Sequence, residues 1–428
     1  MQSNSNKWCQ ATAAVVTTAA FSKTFVPFYL VGSTAIFALT SALGIVLVAV
    51  NWREFFDNAS RVTDILAVLG LLYGAVIISY MSRSFPEVPV TYLLGILGFH
   101  ALFLIFGFAA ARAVRTMLLL LLGAAAIYSI TIAQYAVRFG DLMQDGYLHD
   151  VFGVGDPAMA VTFHQNMGTV LGLAALAAVG LATTRIRQSL IIGLLLLVLA
   201  FMFHVAARGA MVALVCGLLF LAAGVLWVRS KRRALLGFMV LILAATFASG
   251  VFYRRALQDK DIDAVAPDAI SRTIREIQDP RPGFRIQIWA RTWHRISTEP
   301  DRLLFGRGIG MYPVREGFGA PDWLLHPTEG SRHYPHNVYL EMLHEMGIIG
   351  LLLFSVLTFS PLILSLRHWA RLSREEKSIM SLYVFMLVSS TISGAFAYSY
   401  LLQFFLALAV GTIALKRTVE KQQAGAVP

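Results

Sequence analysis

An imidazole at position 336 and guanidiniums at 208 and 285 are the side chains of this sequence best suited to chemistry. Together they make a general base beside an anion clamp. His336 follows Pro335 and precedes Asn337, where a polar segment from Tyr253 to Tyr334 gives way to an apolar run. An imidazole at the lip of a membrane bundle can accept a proton near neutral pH; the alternative is an interfacial histidine hydrogen-bonded at a helix start. Arg208 lies in Phe203-His204-Val205-Ala206-Ala207-Arg208-Gly209-Ala210, between two apolar runs with almost no loop. A cation at mid-bilayer costs about 2.5–3.5 kcal/mol, less near an interface. Arg208 should therefore meet an anion, a carboxylate or a water-filled cavity, or else snorkel from a span end. Arg285 sits on an amphipathic stretch from Phe284 to Ser297, where Trp289 and Trp293 alternate with Arg291 and Arg295. Its guanidinium either faces solvent or binds phosphate in two-point fashion. Two arginines converging from a bundle mouth and a lid helix would form a diphosphate clamp.

Supporting candidates surround these three. Asn337, Tyr339 and Glu341 follow His336, Arg291 follows Arg285, and Asn166 stands with His164 and Gln165 near the start of an apolar run. Glu341 and Glu345 are one helical turn apart and read as a structural pair rather than a second base. Other patterns fail on inspection. Asp259, Asp261 and Asp263 alternate as in a calcium loop, but Ala264 and Ile270 occupy the positions that need Gly and Glu. Gly306, Gly308 and Gly310 mark a tight turn; no βαβ unit surrounds them to make a dinucleotide site. His326, His333 and His344 lack metal-ligand spacing, and Cys9 and Cys216 form no Cys-His pattern. Neither a metal nor a cofactor is expected.

The elements that must position these groups are membrane helices. The chain of 428 residues is 57% hydrophobic and 14% charged, with a mean hydropathy of +0.68. A soluble domain carries about a quarter charged residues, so lipid is the solvent for most of this chain. The class is an all-α polytopic membrane protein. Apolar runs long enough to cross a hydrocarbon core predict about twelve spans, at 10–28, 30–50, 63–81, 90–110, 116–136, 159–182, 188–206, 209–228, 234–252, 337–366, 378–395 and 397–415. Lys23 interrupts the first apolar stretch, which runs on into the second, so it reads as a retained span rather than a signal peptide. The organisation is a membrane region over 1–252, a partly helical loop domain over 253–336, and a membrane region with a tail over 337–428.

Net charge is +11, but the basic residues sit in short clusters between apolar runs, which excludes a nucleic-acid stripe. Arg53 and Arg61, Arg112 and Arg115, Arg185 and Arg187, Arg229 to Arg233, Arg367 to Lys377, and Lys416 to Lys421 follow the even-numbered spans. By the positive-inside rule those connections and both termini are cytoplasmic. The loop holding Arg285, the Arg208 turn and His336 then all face away from the cytoplasm.

At this point the residues resemble a family. His336-Asn337-Val338-Tyr339-Leu340-Glu341, continued by Glu345-Met346-Gly347-Ile348-Ile349-Gly350, is similar to the signature of the O-antigen ligase and polymerase superfamily. Leu304-Phe305-Gly306-Arg307-Gly308-Ile309-Gly310 and the Arg208-Gly209-Ala210 turn fit in the same order. Ala207 stands where the family usually has Ser. The resemblance implies a metal-independent GT-C type glycosyltransferase of the bacterial inner membrane, working at its periplasmic face. Its partners would be an undecaprenyl-diphosphate-linked O-antigen donor, a lipid A–core acceptor and membrane lipids. His336 would be the base, and Arg208 and Arg285 would bind the diphosphate. An O-antigen polymerase, a protein O-oligosaccharyltransferase and a non-catalytic lipid-glycan transporter are the competing readings. The compact size and single dominant loop favour the ligase.

Overall fold

The computed structural model describes residues 2–25, 33–82, 88–139, 157–182, 184–204, 207–233, 284–312 and 334–425, and every regular element among them is helical. In chain order these are α1 (Gln2–Phe25), α2 (Ser33–Val50), α3 (Trp52–Ala59), α4 (Thr63–Met81), α5 (Val90–Ala110), α6 (Val114–Phe139), α7 (Pro157–Leu181), α8 (Arg185–His204) and α9 (Arg208–Arg229). They continue with α10 (Phe284–Thr298), α11 (Val338–Arg367), α12 (Arg374–Ser393) and α13 (Tyr400–Gly425). Helices thus occupy the expected span positions, except that the span expected at 234–252 lies outside the described residues. So do the expected helix from Asp268 to Gln278 and most of the 253–336 loop. Five helical stretches among the described residues are long and apolar enough to cross a membrane. Leu39, Ile78, Leu190 and Leu197 point outward from the bundle, as lipid-facing side chains do. The chain is a multi-pass membrane protein.

Lipid gives apolar helices little reason to associate, so close packing and buried polar contacts must hold them together. The Ser381 hydroxyl donates to the Gly217 carbonyl at 2.8 Å, joining α12 to α9. The Ser378 hydroxyl donates to Leu176 O at 2.7 Å, joining α12 to α7. Tyr383 reaches Thr358 O at 2.7 Å across to α11. On the other side of the bundle, α5 lies against α13, with Phe103 and Tyr400 stacked at 5.5 Å.

Charge collects at one end. Arg417 donates to Asp64 at 2.9 and 3.1 Å and to Arg61 O at 2.9 Å. Lys416 pairs with Glu376 at 2.9 Å, and Arg112 with Glu54. A capping box starts α12 there: Ser373 accepts from Glu376 N, and the Glu376 carboxylate accepts from Ser373 N.

The run 337–366 reads as one crossing in the sequence, but α11 is broken. Gly347 has φ 66° and ψ −163°, which only glycine adopts without strain. Tyr339 and Thr358 would be about 28 Å apart along a straight helix, yet their hydroxyls are 2.9 Å apart. The two arms therefore fold toward each other. The backbone groups freed at the break are taken up by residues 303–308. Ile348 N donates to Leu303 O at 2.9 Å, Arg307 N to His344 O at 3.1 Å, and Gly308 N to Glu345 O at 2.8 Å. Gly306, Gly308 and Gly310 all have positive φ, so the sequence supplies the backbone this strap needs.

The break lies at the end of the bundle away from the charge cluster. Ile309 N donates to Ser79 Oγ at 3.1 Å, near the end of α4. From there the first arm of α11 leads back into the bundle. Phe396, which meets that arm, packs on His100 at 4.9 Å, and Tyr400 packs on Phe99 at 5.1 Å. Phe99 is nine residues into α5, so α13 starts about 14 Å short of the start of α5. The end of α12 and the start of α9 are level with each other: a side chain at Gly209 would touch Ile392. These short ends form a step inside the bundle.

Candidate active site

α10 is seated on this step, and a hydrogen bond from Trp289 helps to fix it there. Trp289 Nε1 donates to Pro335 O at 2.8 Å, tying α10 to the residue before His336. Arg285 is one helical turn before Trp289, on the same face. Its Nη2 donates to Ser393 Oγ at 3.4 Å, and its Nη1 lies 4.0 Å from the ideal Cβ position of Gly209. The Arg285 guanidinium thus stands where α12 ends and α9 begins. A helix N-terminus presents backbone N–H groups that lack intrahelical partners and carries partial positive charge, so this corner suits an anion. Arg208 is the first residue of α9; its side chain lies outside what the structure describes.

His336 is half-buried beside this corner. With φ 55° it is the non-glycine residue in the left-handed region among those described. Such backbone costs about 1–3 kcal/mol and gathers at functional sites. Its ring lies 4.4 Å from that of Tyr334, which in turn lies 6.4 Å from Tyr398. Burial pushes the Tyr334 phenol above its ordinary range; Arg285 draws it back, and Glu341 and Tyr398 push it up again. The Tyr334 phenol thus feels the charge of Arg285 while its ring adjoins the His336 imidazole.

The supporting candidates divide into two groups. Asn337 caps the first arm of α11, its side chain accepting from Tyr339 N and Leu340 N at 3.1 Å each. Glu341 is buried, and its Oε2 accepts from Phe396 N at 2.8 Å, pinning the 396–398 turn to the arm that carries His336. Glu345 accepts from Tyr312 N at 3.0 Å; both carboxylates serve main-chain donors. Asn166 is half-buried on α7, two residues before Gly168, where α7 meets Ala207 and Ala210 at the start of α9. Two residues stand apart from the others. Tyr339 turns its hydroxyl to Thr358 and its ring to Phe354 and Phe359, and Arg291 is exposed on α10. The side chains of His164 and Gln165 lie outside the described residues.

The sequence left three site residues unmarked. Tyr334 is two positions before His336. Ser393 and Tyr398 come from Ser393-Gly394-Ala395-Phe396-Ala397-Tyr398-Ser399, a polar break between two apolar runs. That stretch, divided by the sequence reading between the spans 378–395 and 397–415, was the available signal. Among the described residues no cluster of His, Cys, Asp and Glu has metal-site geometry.

Residues 193–355 match the O-antigen ligase family model. The resemblance drawn from the His336 and Gly306 motifs is therefore borne out. The matched interval runs from α8 through the break in α11 and contains Arg208, Arg285, Tyr334 and His336. Ser393 and Tyr398 lie beyond it. The match supports a membrane glycosyltransferase of the O-antigen ligase and polymerase type. No curated protein matches the chain.

Proposed function

We propose that the chain is an inverting glycosyltransferase that moves O-antigen polysaccharide from undecaprenyl diphosphate to a sugar hydroxyl of lipid A–core. The reaction takes place at the periplasmic face of the inner membrane. The observation that carries this reading is the Trp289–Pro335 hydrogen bond of 2.8 Å, because it holds the helix of Arg285 against the segment that leads into His336.

A sugar on a lipid diphosphate has a good leaving group, so the enzyme must chiefly neutralise the charge that develops on departure. Arg285, Arg208 and the N-terminus of α9 supply that stabilisation in a partly dehydrated recess. An acceptor hydroxyl is a weak nucleophile; His336 takes its proton as the new bond to the anomeric carbon forms. Attack opposite the departing diphosphate inverts that centre. The recess supplies proximity for two lipid-borne substrates. The charged end, with Arg112, Arg417 and Lys416, is cytoplasmic in this reading, which turns the recess to the periplasm.

The break in α11 is a feature that transporters also carry at their sites. Here the 303–308 strap takes up backbone groups freed by the break, which favours a structural joint over a binding gap.

Deleting the gene and separating lipopolysaccharide on a gel tests the acceptor. Loss of a ligase leaves bare core while lipid-linked polymer accumulates. Core carrying one repeat would point to a polymerase instead. His336→Ala should lose about 10²–10⁴-fold in transfer rate with unchanged thermal unfolding; a near-normal ladder would refute the base role.

A further inference from the structure

Tyr334 is the aromatic residue through which the two halves of the site touch. Its ring is 4.4 Å from the His336 imidazole and 6.4 Å from the Tyr398 ring. Its neighbour Pro335 is bonded to Trp289, one turn along α10 from Arg285. On the far side Ser393 accepts from Arg285, and Phe396 is held by Glu341. Tyr334 thus adjoins His336 and stands close enough to Arg285 to feel its charge, within reach of a diphosphate gripped by Arg285 with its sugar at His336. A phenol offers one O–H donor that carries no charge at neutral pH. We propose that Tyr334 is a catalytic residue of this site, its phenolic O–H donating to a diphosphate oxygen of the donor as the sugar departs.

The assignment rests on the glycosyl-transfer reading. In the transfer step, the bond from the anomeric carbon to the diphosphate oxygen breaks and its electron pair stays on that oxygen. The acceptor oxygen bonds to the carbon, and its proton passes to His336. The Tyr334 proton stays on the phenol throughout, and its hydrogen bond strengthens as charge builds on the oxygen it faces. Burial, which raises the phenol above its ordinary range, keeps that proton in place. The environment is set by Arg285, Glu341, Tyr398 and His336, so the donor works beside one fixed cation and one buried carboxylate.

The experiment uses the purified full-length protein in nanodiscs with undecaprenyl-diphosphate-linked glycan as donor and lipid A–core as acceptor. Undecaprenyl diphosphate alone serves as the binding probe. Tyr334→Phe keeps the ring against His336. It should lower kcat by about tenfold to a hundredfold, as loss of one donor to a developing oxyanion does, and weaken diphosphate-lipid binding severalfold. Placing 3,5-difluorotyrosine at 334 keeps the shape but makes the phenol more acidic. That enzyme should lose activity as pH rises through the lowered phenol pKa, a limb absent from wild type. A residue that only packs against His336 would produce no such limb. Tyr334→Phe with wild-type kcat and affinity overturns the assignment while leaving the transfer reading intact. If wild type transfers nothing yet Tyr334→Phe still loses affinity for undecaprenyl diphosphate, the transfer reading falls and the diphosphate contact stands. Should Tyr334→Phe unfold, the difluorotyrosine pH limb decides: its presence supports the assignment and its absence overturns it.

Discussion

Tyr339 and Thr358 are 19 residues apart in the chain, yet their hydroxyls meet at 2.9 Å. That contact exists because α11 turns back at Gly347, and the turn sends the His336 end of the first arm into the bundle. The site therefore lies on an internal step, below the strap that closes the break.

Gly347→Ala tests that geometry. An added Cβ would lie 2.4 Å from the carbonyl carbon and oxygen of Leu304 and 2.6 Å from Gly306 N, all backbone atoms, at φ +66°. Backbone strain alone costs about 1–3 kcal/mol, and the strap must also shift. Thermal unfolding in detergent should fall by several degrees, with transfer activity falling alongside it. Unfolding at the wild-type temperature would mean that the break tolerates a side chain and does not set the fold.

Arg307 should act on the same joint from the other side. Its side chain is buried; Nη2 donates to Arg295 O at 3.0 Å and pairs with Glu299 at 3.2 Å. Its backbone N donates to His344 O. One residue thus locks the end of α10 to the strap and the strap to α11. Arg307→Gln removes the charge and shortens the reach, leaving Arg295 O and Glu299 to water. The expected loss is about 1–3 kcal/mol, read as faster limited proteolysis near α10. Unchanged cleavage would separate α10 docking from the strap.

The fold was largely legible because lipid imposes helices, and apolar runs of span length give their positions directly. α10 was legible for a different reason: Trp289 and Trp293 recur with arginines at helical spacing. The break at Gly347 was not, since Leu340, Leu343, Ile348, Ile349 and Leu351 carry an apolar pattern across it and hydropathy carries no record of φ. Its signal was the pairing of Gly347 with the glycines at 306, 308 and 310, and only distance joins those segments. Of the site, His336 and Arg285 stood out as polar groups beside apolar runs. Tyr334 and Ser393 did not, because a tyrosine or serine near a span end is unremarkable until a partner from another helix stands beside it.

His368, just past the end of α11 at the charged end, gives a pH prediction. Burial first, then Arg371, Arg417 and Arg367, hold its pKa below the ordinary value of 6.5. The unfolded chain therefore takes up this proton at higher pH than the folded chain. The contribution to stability is intact above pH 6.5 and is lost as pH falls toward the lowered folded value. Wild type should lose more melting temperature between pH 7.5 and 5.5 than His368→Asn does. Equal losses would show that His368 does not control acid stability at this end.

Arg285→Lys separates charge from geometry in the proposed diphosphate clamp. Lysine keeps the positive charge, but a single ammonium cannot hold two phosphate oxygens as the planar guanidinium does. It also cannot reach Ser393 and the start of α9 together, as Nη2 and Nη1 do from one side chain. Transfer should fall by about tenfold or more, equivalent to about 1.4 kcal/mol, with the donor KM rising. Ser393→Ala provides the comparison. The Arg285–Ser393 contact is 3.4 Å, near the limit of a hydrogen bond, so its removal should change kcat/KM far less than Arg285→Lys does. The order of the two effects is what matters. If Ser393→Ala were the more damaging, Arg285 would chiefly be bracing the end of α12, and the anion would have to be held elsewhere.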